Sequence, residues 1–391
     1  MSATLVVFVK ECRESLRDKR VLLNALILGP LIGPLLFVIL LRFTIGRQLQ
    51  QAEQPLPVVV IGAERAPNLV AALRQQGLVA RPPVADVEAA VREQRLELAL
   101  RIPDSYAEDW RMGRPAEVEI IYDSSRRGGG ADVQRLRAML ESYSRRTGAL
   151  RLMARGLAPT LSTGLLIAER DQATAQARGA LLFAMLPFFL VLTAFIGGMW
   201  LALDSTAGER ERQSLEPLLI NPVPRAQILL GKLLAGAAFS FASLTLGLIA
   251  FAITAKFLPT AQMDMTLNIG AGVIATILPL MVPLVLLIVI TQIAVTAFAK
   301  SNREAQTYIG LLQLVPVIPS VLLGLTPLAP QTWMYAIPLI SQQLLMTRLL
   351  RGEPIMAPLV LLCSLVTALA AALVFALAKR QYESERLAVN A

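Results

Sequence analysis

The chain has 391 residues, 55% of them hydrophobic, and a formal charge of +9. Soluble globular chains carry about 45–50% apolar residues, and here the excess gathers in long uncharged runs, which excludes a soluble fold. No histidine is present, which excludes His-based triads, His-ligated zinc and His proton relays; the positive charge is read as basic flanks against anionic lipid, not as nucleic-acid contact.

Residues 1–19 interleave Leu5, Val6, Phe8, Val9 and Leu16 with Lys10, Glu11, Arg13, Glu14, Arg17 and Asp18. That pattern predicts a helix lying at the headgroups. Segment 20–42 holds the run Val21–Leu41, matching the ~20 residues a helix needs to cross a bilayer. The run is too long and too deeply placed for a cleaved signal peptide, so it is read as a retained anchor. Cys12 precedes it and Cys363 lies in the last apolar run, so no disulfide joins them.

Segment 43–178 is too polar to span and carries nineteen arginines and no lysine. Strand-like runs at Pro57–Ile61, Leu96–Ile102 and Glu117–Tyr122 alternate with helical patterns at Pro67–Gln76, Val87–Gln94 (capped by Asp86) and Asp104–Arg111. The order predicts a small α/β domain. Gly128–Gly130 reads as a turn or hinge, because no GK[ST] follows it to make a phosphate loop. Two helices, Asp132–Arg155 and Leu165–Arg178, then act as stalks returning to the membrane.

Segment 179–203 is the second span. In 204–227 a short helix is expected over residues 209–219. Its soluble face is Glu209, Arg210, Glu211 and Arg212, with Glu216 following, and Leu215, Leu218 and Leu219 make an apolar stripe. Pro222 and Pro224 end it. Spans three to six follow at 228–256, 269–299 (with Pro279 and Pro283), 306–328 and 355–378, and the tail is 379–391. Gly231-Lys232 is not a Walker A motif: Ala226 replaces its first glycine and Leu233 its Ser/Thr. The chain is therefore not expected to be an enzyme, and any ATP and Mg would be bound by a partner, with no cofactor held here. The fold class is membrane all-α, six transmembrane helices with an inserted extracytoplasmic α/β domain.

Lys and Arg in short segments set the orientation. Lys10, Arg13, Arg17, Lys19, Arg20, Arg210, Arg212, Arg225, Lys232, Lys300, Arg303, Lys379, Arg380 and Arg386 fall on one side. Both termini are expected in the cytoplasm and 43–178 outside.

The stretch Glu209-Arg-Glu-Arg-Gln-Ser-Leu-Glu-Pro-Leu-Leu-Ile-Asn-Pro-Val, followed by Gly231-Lys232, resembles the cytoplasmic signature of type-2 ABC exporter permeases, in their sodium-efflux (NatB-like) branch. Lys10-Glu11 with Leu16-Arg17-Asp18-Lys19-Arg20, Glu169-Arg170-Asp171 before Arg178-Gly179-Ala180, and Tyr335-Ala-Ile-Pro-Leu-Ile-Ser-Gln are similar to the same branch, and the likeness covers nearly the whole chain. It implies a permease homodimer in the cytoplasmic (inner) membrane, bound to two ABC ATPase subunits. It also implies that 209–219 is the coupling helix, 1–19 the connecting helix, and 335–350 a re-entrant or interfacial helix on the outer side. The substrate is open between Na⁺ and a small amphipathic compound. Thr193, Ser240, Thr291, Gln292 and Gln313 are candidate substrate-path residues, against helix–helix hydrogen bonding as the plainer role. The competing function is a mechanotransmitter, which moves its external domain and transports nothing.

Overall fold

The computed structural model describes residues 2–84, 86–93, 95–123, 129–162, 170, 172–213, 222–258, 266, 269–325 and 330–383. The chain divides into two compact units, Met1–Thr44 with Gln172–Ala391, and Ile45–Asp171.

The first unit is a helical bundle. Helix α1 (Ala3–Arg17) is followed by α2 (Lys19–Leu22), a π-helical segment Leu23–Leu28, and α3 (Gly29–Glu53). Helix α1 inverts the simplest reading of its pattern. Val7, Glu11 and Ser15, one per turn, form its buried line, while Leu5, Val6, Val9 and Leu16 are exposed and left for lipid. Five helical stretches among the described residues are long and apolar enough to cross a membrane: Leu23–Phe43, Leu186–Glu211, Arg225–Ala255, Ala271–Thr296 and Ala357–Glu383. They contain α9 (Leu186–Leu203), α11 (Arg225–Ala255), α12 (Ala271–Thr296) and α16 (Ala357–Glu383), numbering the helices in chain order. Helix α9 is central. Leu190, Val191, Ala194 and Phe195 pack into one core with Leu244, Phe251, Ile277, Met281 and Val289.

Small residues set the approach of these helices. A Cβ on Gly197 would meet the Ser243 Cβ at 2.6 Å and the Ser240 Cα at 2.9 Å, and one on Gly236 would meet Val289 Cγ1 at 2.6 Å. Close backbone approach of this kind drives helix association in lipid, where apolar burial gives no advantage.

The segment expected as the fifth span is two helices, α13 (Asn302–Leu312) and α14 (Leu314–Leu325), interrupted at Gln313. Pro316 is the cause. It has no N–H to give to the Leu312 carbonyl, and its ring crowds that carbonyl. Ser301 caps α13, its Oγ accepting from Glu304 N at 3.3 Å, and Glu304 returns a carboxylate oxygen to Lys300 N at 2.7 Å. Ahead of the last span, Thr332–Ala336 form a 3-10 turn and α15 spans Ile340–Leu350. Gln342 and Gln343 of α15 are buried, donating to Thr367 Oγ1 at 2.9 Å and Ser320 Oγ at 2.5 Å.

The helix expected over Leu165–Arg178 is corrected. Gln172, Ala173 and Thr174 are not helical; α8 begins at Ala175 and runs to Leu182. Thr174 is the reason, since its Oγ1 accepts from Ala177 N at 3.0 Å and caps the helix there. Residues 163–169 and 171 lie outside the described residues.

The second unit is the α/β domain. Its sheet order is β2-β1-β3-β4 (Leu78–Arg81, Leu56–Ile61, Leu98–Arg101, Glu119–Tyr122), with β1 parallel to β2 and β3, and β4 antiparallel. Helices α4 (Pro67–Gln75), α5 (Val87–Arg92) and α6 (Tyr106–Arg111) connect them, and the Asp86 carboxylate caps α5 by accepting from Ala89 N at 2.9 Å. Strand β1 is central and covered on both faces: Val58 and Val60 face one core, Val59 the other. Its unbroken Val-Val-Val run is what a doubly covered parallel strand requires. The short strand β2 has no alternation to announce it.

Helix α7 (Gly129–Ala154) starts within the glycine run, so Gly129 and Gly130 form its first turn and are not a hinge. Nor is α7 only a stalk, because Val133, Leu136 and Met139 complete the domain core.

Candidate functional site

The bundle's densest polar cluster joins three separate parts of the chain. Lys232 lies in the second turn of α11, flanked by Leu229, Leu230, Leu233 and Leu234, and is 0% exposed. A buried ammonium needs opposite charge and full hydrogen bonding. Lys232 Nζ has both: Glu11 Oε1 of α1 at 3.0 Å, Glu209 Oε2 at 2.6 Å and the Ser205 carbonyl at 2.5 Å. Glu11 and Glu209 are themselves buried.

The local backbone explains the third contact. Asp204–Gly208 form a π-helical turn directly after α9. A π turn displaces the i→i+4 pattern and frees carbonyls, and the Ser205 carbonyl takes the lysine proton instead. The same turn lets Thr206 donate to Thr296 Oγ1 of α12 at 2.7 Å.

Lys10 closes the cluster from outside. Its ammonium donates to Glu209 Oε1 at 2.5 Å and lies 3.3 Å from Glu11 and 3.4 Å from Glu14. Burial works against its charge, yet the hydrogen bond to Glu209 and the fields of Glu11, Glu209 and Glu14 outweigh it and hold Lys10 above the ordinary lysine value. The contribution of Lys10 to stability is therefore complete below the ordinary lysine value and is lost only as the pH rises through the raised one. Glu11, Glu14 and Glu209 have oxygens within 4.8 Å of one another, as a metal site would. The position a cation would take is filled by Lys10.

The soluble face expected for the charged run holds at Glu211 and Arg212, which are exposed, and is corrected at Glu209, which is buried, and Arg210, which is half-buried. Helix α10 (Glu209–Glu211) continues the α9 helix through the π turn, and Gln213 has a positive φ of 54°. Each of its four charges goes to a different neighbour. Glu209 goes to the lysines; Arg210 Nη1 donates to the Ala299 carbonyl at 2.9 Å; Glu211 Oε2 accepts from Asn302 N at 3.2 Å; Arg212 pairs with Asp204. Of the exposed pair, Arg212 has 60% of its side chain accessible. Beside them Arg225 Nη1 donates to the Tyr382 carbonyl at the end of α16, at 2.6 Å. Thus α1, the end of α9, the start of α11, the end of α12, the start of α13 and the end of α16 meet at one junction. Residues Leu215, Glu216, Leu218 and Leu219 lie outside the described residues.

The polar residues expected along a path are only partly brought together. Gln292 Nε2 donates to the Phe195 carbonyl at 2.8 Å, and its Oε1 and Ser240 Oγ both lie against Gly198. Thr193 is buried one turn away, its carbonyl accepting from Ser243. Thr291 donates to its own helix at the Leu287 carbonyl, and Gln313 sits at the break between α13 and α14. Gln292 ties α12 to α9 and the Ser243 hydroxyl ties α11 to α9 at Thr193, while Ser240 Oγ is buried with no hydrogen-bond partner among the described residues; Thr291 and Gln313 stand apart.

The sequence profile of the ABC-2 family transporter proteins matches residues 25–378. The chain belongs to that family. It is also similar to the ABC transporter permease protein NatB of Bacillus subtilis (strain 168), at 26% identity over 317 residues, 80% of each chain. This is an ABC transporter permease, a multi-pass membrane subunit of an exporter. The residues quoted above for the resemblance, Lys10-Glu11, Glu209 and Gly231-Lys232, are the ones that meet in the buried cluster. Sequence reasoning quoted them as separate motifs and missed their pairing. One signal was available: a lysine inside an apolar helix turn needs a buried acid, and Glu11 and Glu209 are two of the several acids at its end of the bundle.

Proposed function

We propose that the permease spans the cytoplasmic membrane six times, as a homodimer, and exports its substrate with ATP hydrolysed by two separate ABC ATPase subunits. The single observation that carries this reading is the ionic junction of Lys232, Glu11 and Glu209. It fixes the helix α1 and the turn after α9 to the start of α11, so a push on residues 209–219 reaches three helices at once. A nucleotide-binding partner seated on that segment, with exposed Arg212 at its edge, would move them together. The substrate is Na⁺ or a small amphipathic compound. The apolar interiors of α9, α11 and α12 and the scarcity of membrane-depth acids favour the amphipath.

Three experiments test this. Proteoliposomes holding the permease and its ATPase should show ATP-dependent flux of ²²Na⁺ or of an amphipathic dye. Sustained hydrolysis with neither flux would replace export by mechanotransmission. The purified permease alone should show no ATPase activity above that of its buffer, and activity that persists after removal of every ATPase subunit would refute a division of labour. For topology, Arg303→Cys and Glu117→Cys, both at exposed positions, should be labelled by an impermeant maleimide from opposite faces of the membrane in a background without Cys12 and Cys363. Labelling of both from one face would overturn the six-span arrangement.

A further inference from the structure

The α/β unit contains a cavity of about 310 Å³ between α6, the segment before β4, and α7. Small-molecule sites occupy cavities of about 300–1,000 Å³, mostly apolar with a few aimed polar groups. Three rings line this one in a nearly parallel array. Tyr106 and Trp110 stack with centroids 5.7 Å apart and planes at 14°, and Trp110 and Tyr143 at 6.0 Å and 21°. The Arg151 guanidinium lies 4.2 Å above the Trp110 ring and donates one N–H to the Trp110 carbonyl at 3.2 Å. Among the described residues its other N–H groups have no hydrogen-bond partner and no carboxylate pairs with it.

Gly148 is the second observation. It stands inside the long helix α7, where glycine is the poorest residue after proline. A Cβ there would meet nothing within 4 Å, so no packing demands glycine. What its missing side chain leaves is the open floor of the cavity, which it lines beside Leu140, Tyr143 and Arg151. Helix propensity is given up at a position in this wall where a larger side chain would enter the space.

We propose that this cavity binds a small organic anion with a flat apolar body, the rings taking the body and Arg151 the anionic group. A planar guanidinium already held over an indole is pre-set to receive a carboxylate or sulfonate in two parallel hydrogen bonds. Burial and the neighbouring Tyr143 push the Tyr106 hydroxyl up to about 12, so that ring stays neutral at physiological pH, and Arg151 supplies the site's charge. The site does not depend on the transport reading, and its test needs neither ATP nor flux.

The test is titration calorimetry of the full chain in nanodiscs, with empty nanodiscs subtracting lipid partition. The probes are 2-naphthoate and its neutral isostere 2-naphthamide. Naphthoate should saturate one site per chain and bind about ten-fold more tightly than the amide, the difference a charge-assisted pair supplies. Arg151→Gln should remove that preference while leaving the amide's affinity in place. Gly148→Leu should weaken both probes at least about ten-fold by filling the floor, and it improves helix propensity, so misfolding does not explain the loss. Failure of naphthoate to saturate, equal binding of the two probes, or wild-type binding by Gly148→Leu would each overturn the proposal.

Discussion

Replacing Lys232 by Met is expected to destabilise the permease by about 3–5 kcal/mol, the cost of removing one partner from a buried charge network. Glu11 and Glu209 would then face each other with only Lys10 between them, and the Ser205 carbonyl would lose its donor. Glu11→Gln and Glu209→Gln should each cost less than Lys232→Met, because each leaves Lys232 with one carboxylate. Lys10→Met should cost about 1 kcal/mol, since that ammonium is partly solvated. The triple change Glu11→Gln/Glu209→Gln/Lys232→Met should recover most of the loss, because no uncompensated charge stays buried. Denaturant or thermal unfolding of the purified chain measures all five. Flux then separates structure from coupling. A triple variant as stable as wild type yet unable to transport would make the ionic junction a transmission element. Wild-type stability in Lys232→Met would show that the ammonium is not held as described.

Much of the bundle was legible because apolar length is a strong signal. Runs such as Arg225–Ala255 and Ala271–Thr296 have one reading in a chain of this hydropathy. The strands β1, β3 and β4 and the cap at Asp86 followed from short-range chemistry, in which one side chain decides one turn. The misses share a cause, since each was settled by groups distant in sequence or by one backbone detail. Glu209 looked solvated among three other charges, but Lys10 and Lys232, 199 and 23 positions away, draw it inward. The π turn at Asp204–Gly208 has no pattern that marks it, and it rotates the following charges onto four different neighbours. Gly129 and Gly130 carry turn chemistry, yet the packing of Val133, Leu136 and Met139 on the sheet extends the helix through them. Tertiary burial overrode local preference in both places.

The geometry also changes what a charge reversal in the 209–212 turn can report. Arg210 is tied to the Ala299 carbonyl, so Arg210→Glu would disturb the end of α12 as well as any docking surface. Among the described residues Arg212 bonds only within its own helical stretch, to Asp204 and the Gly208 carbonyl. Arg212→Glu is therefore the cleaner probe of a partner. It should leave unfolding unchanged within about 0.5 kcal/mol, as surface substitutions do, while weakening co-purification with the ATPase if that subunit presents acidic groups there.

Gly231→Val is expected to uncouple the permease without touching a charge. Gly231 is buried one residue before Lys232, and a Cβ there would meet Val7 Cβ at 2.7 Å and the Thr4 carbonyl oxygen at 2.9 Å. The second of these is backbone, so α1 cannot yield by rotating a side chain and must lift away from α11. Overpacking of this kind costs about 1–3 kcal/mol, and the displacement would stretch the 3.0 Å contact between Lys232 and Glu11. Glu209, carried by a different helix, would keep Lys232 paired. The chain should therefore insert and purify, with a lower unfolding midpoint than wild type, while ATP-driven flux falls at least about ten-fold. Gly231→Ala, smaller by two methyl groups, should fall between the two. Crosslinking cysteines placed at Val7 and Leu234 gives the structural readout: the yield should drop in Gly231→Val in step with flux. If flux is lost while α1 remains docked by that measure, the contact of α1 with α11 is not what carries the motion. If α1 is displaced and flux survives, α1 is a membrane anchor alone, and the burden of coupling rests on Glu209 and Lys232.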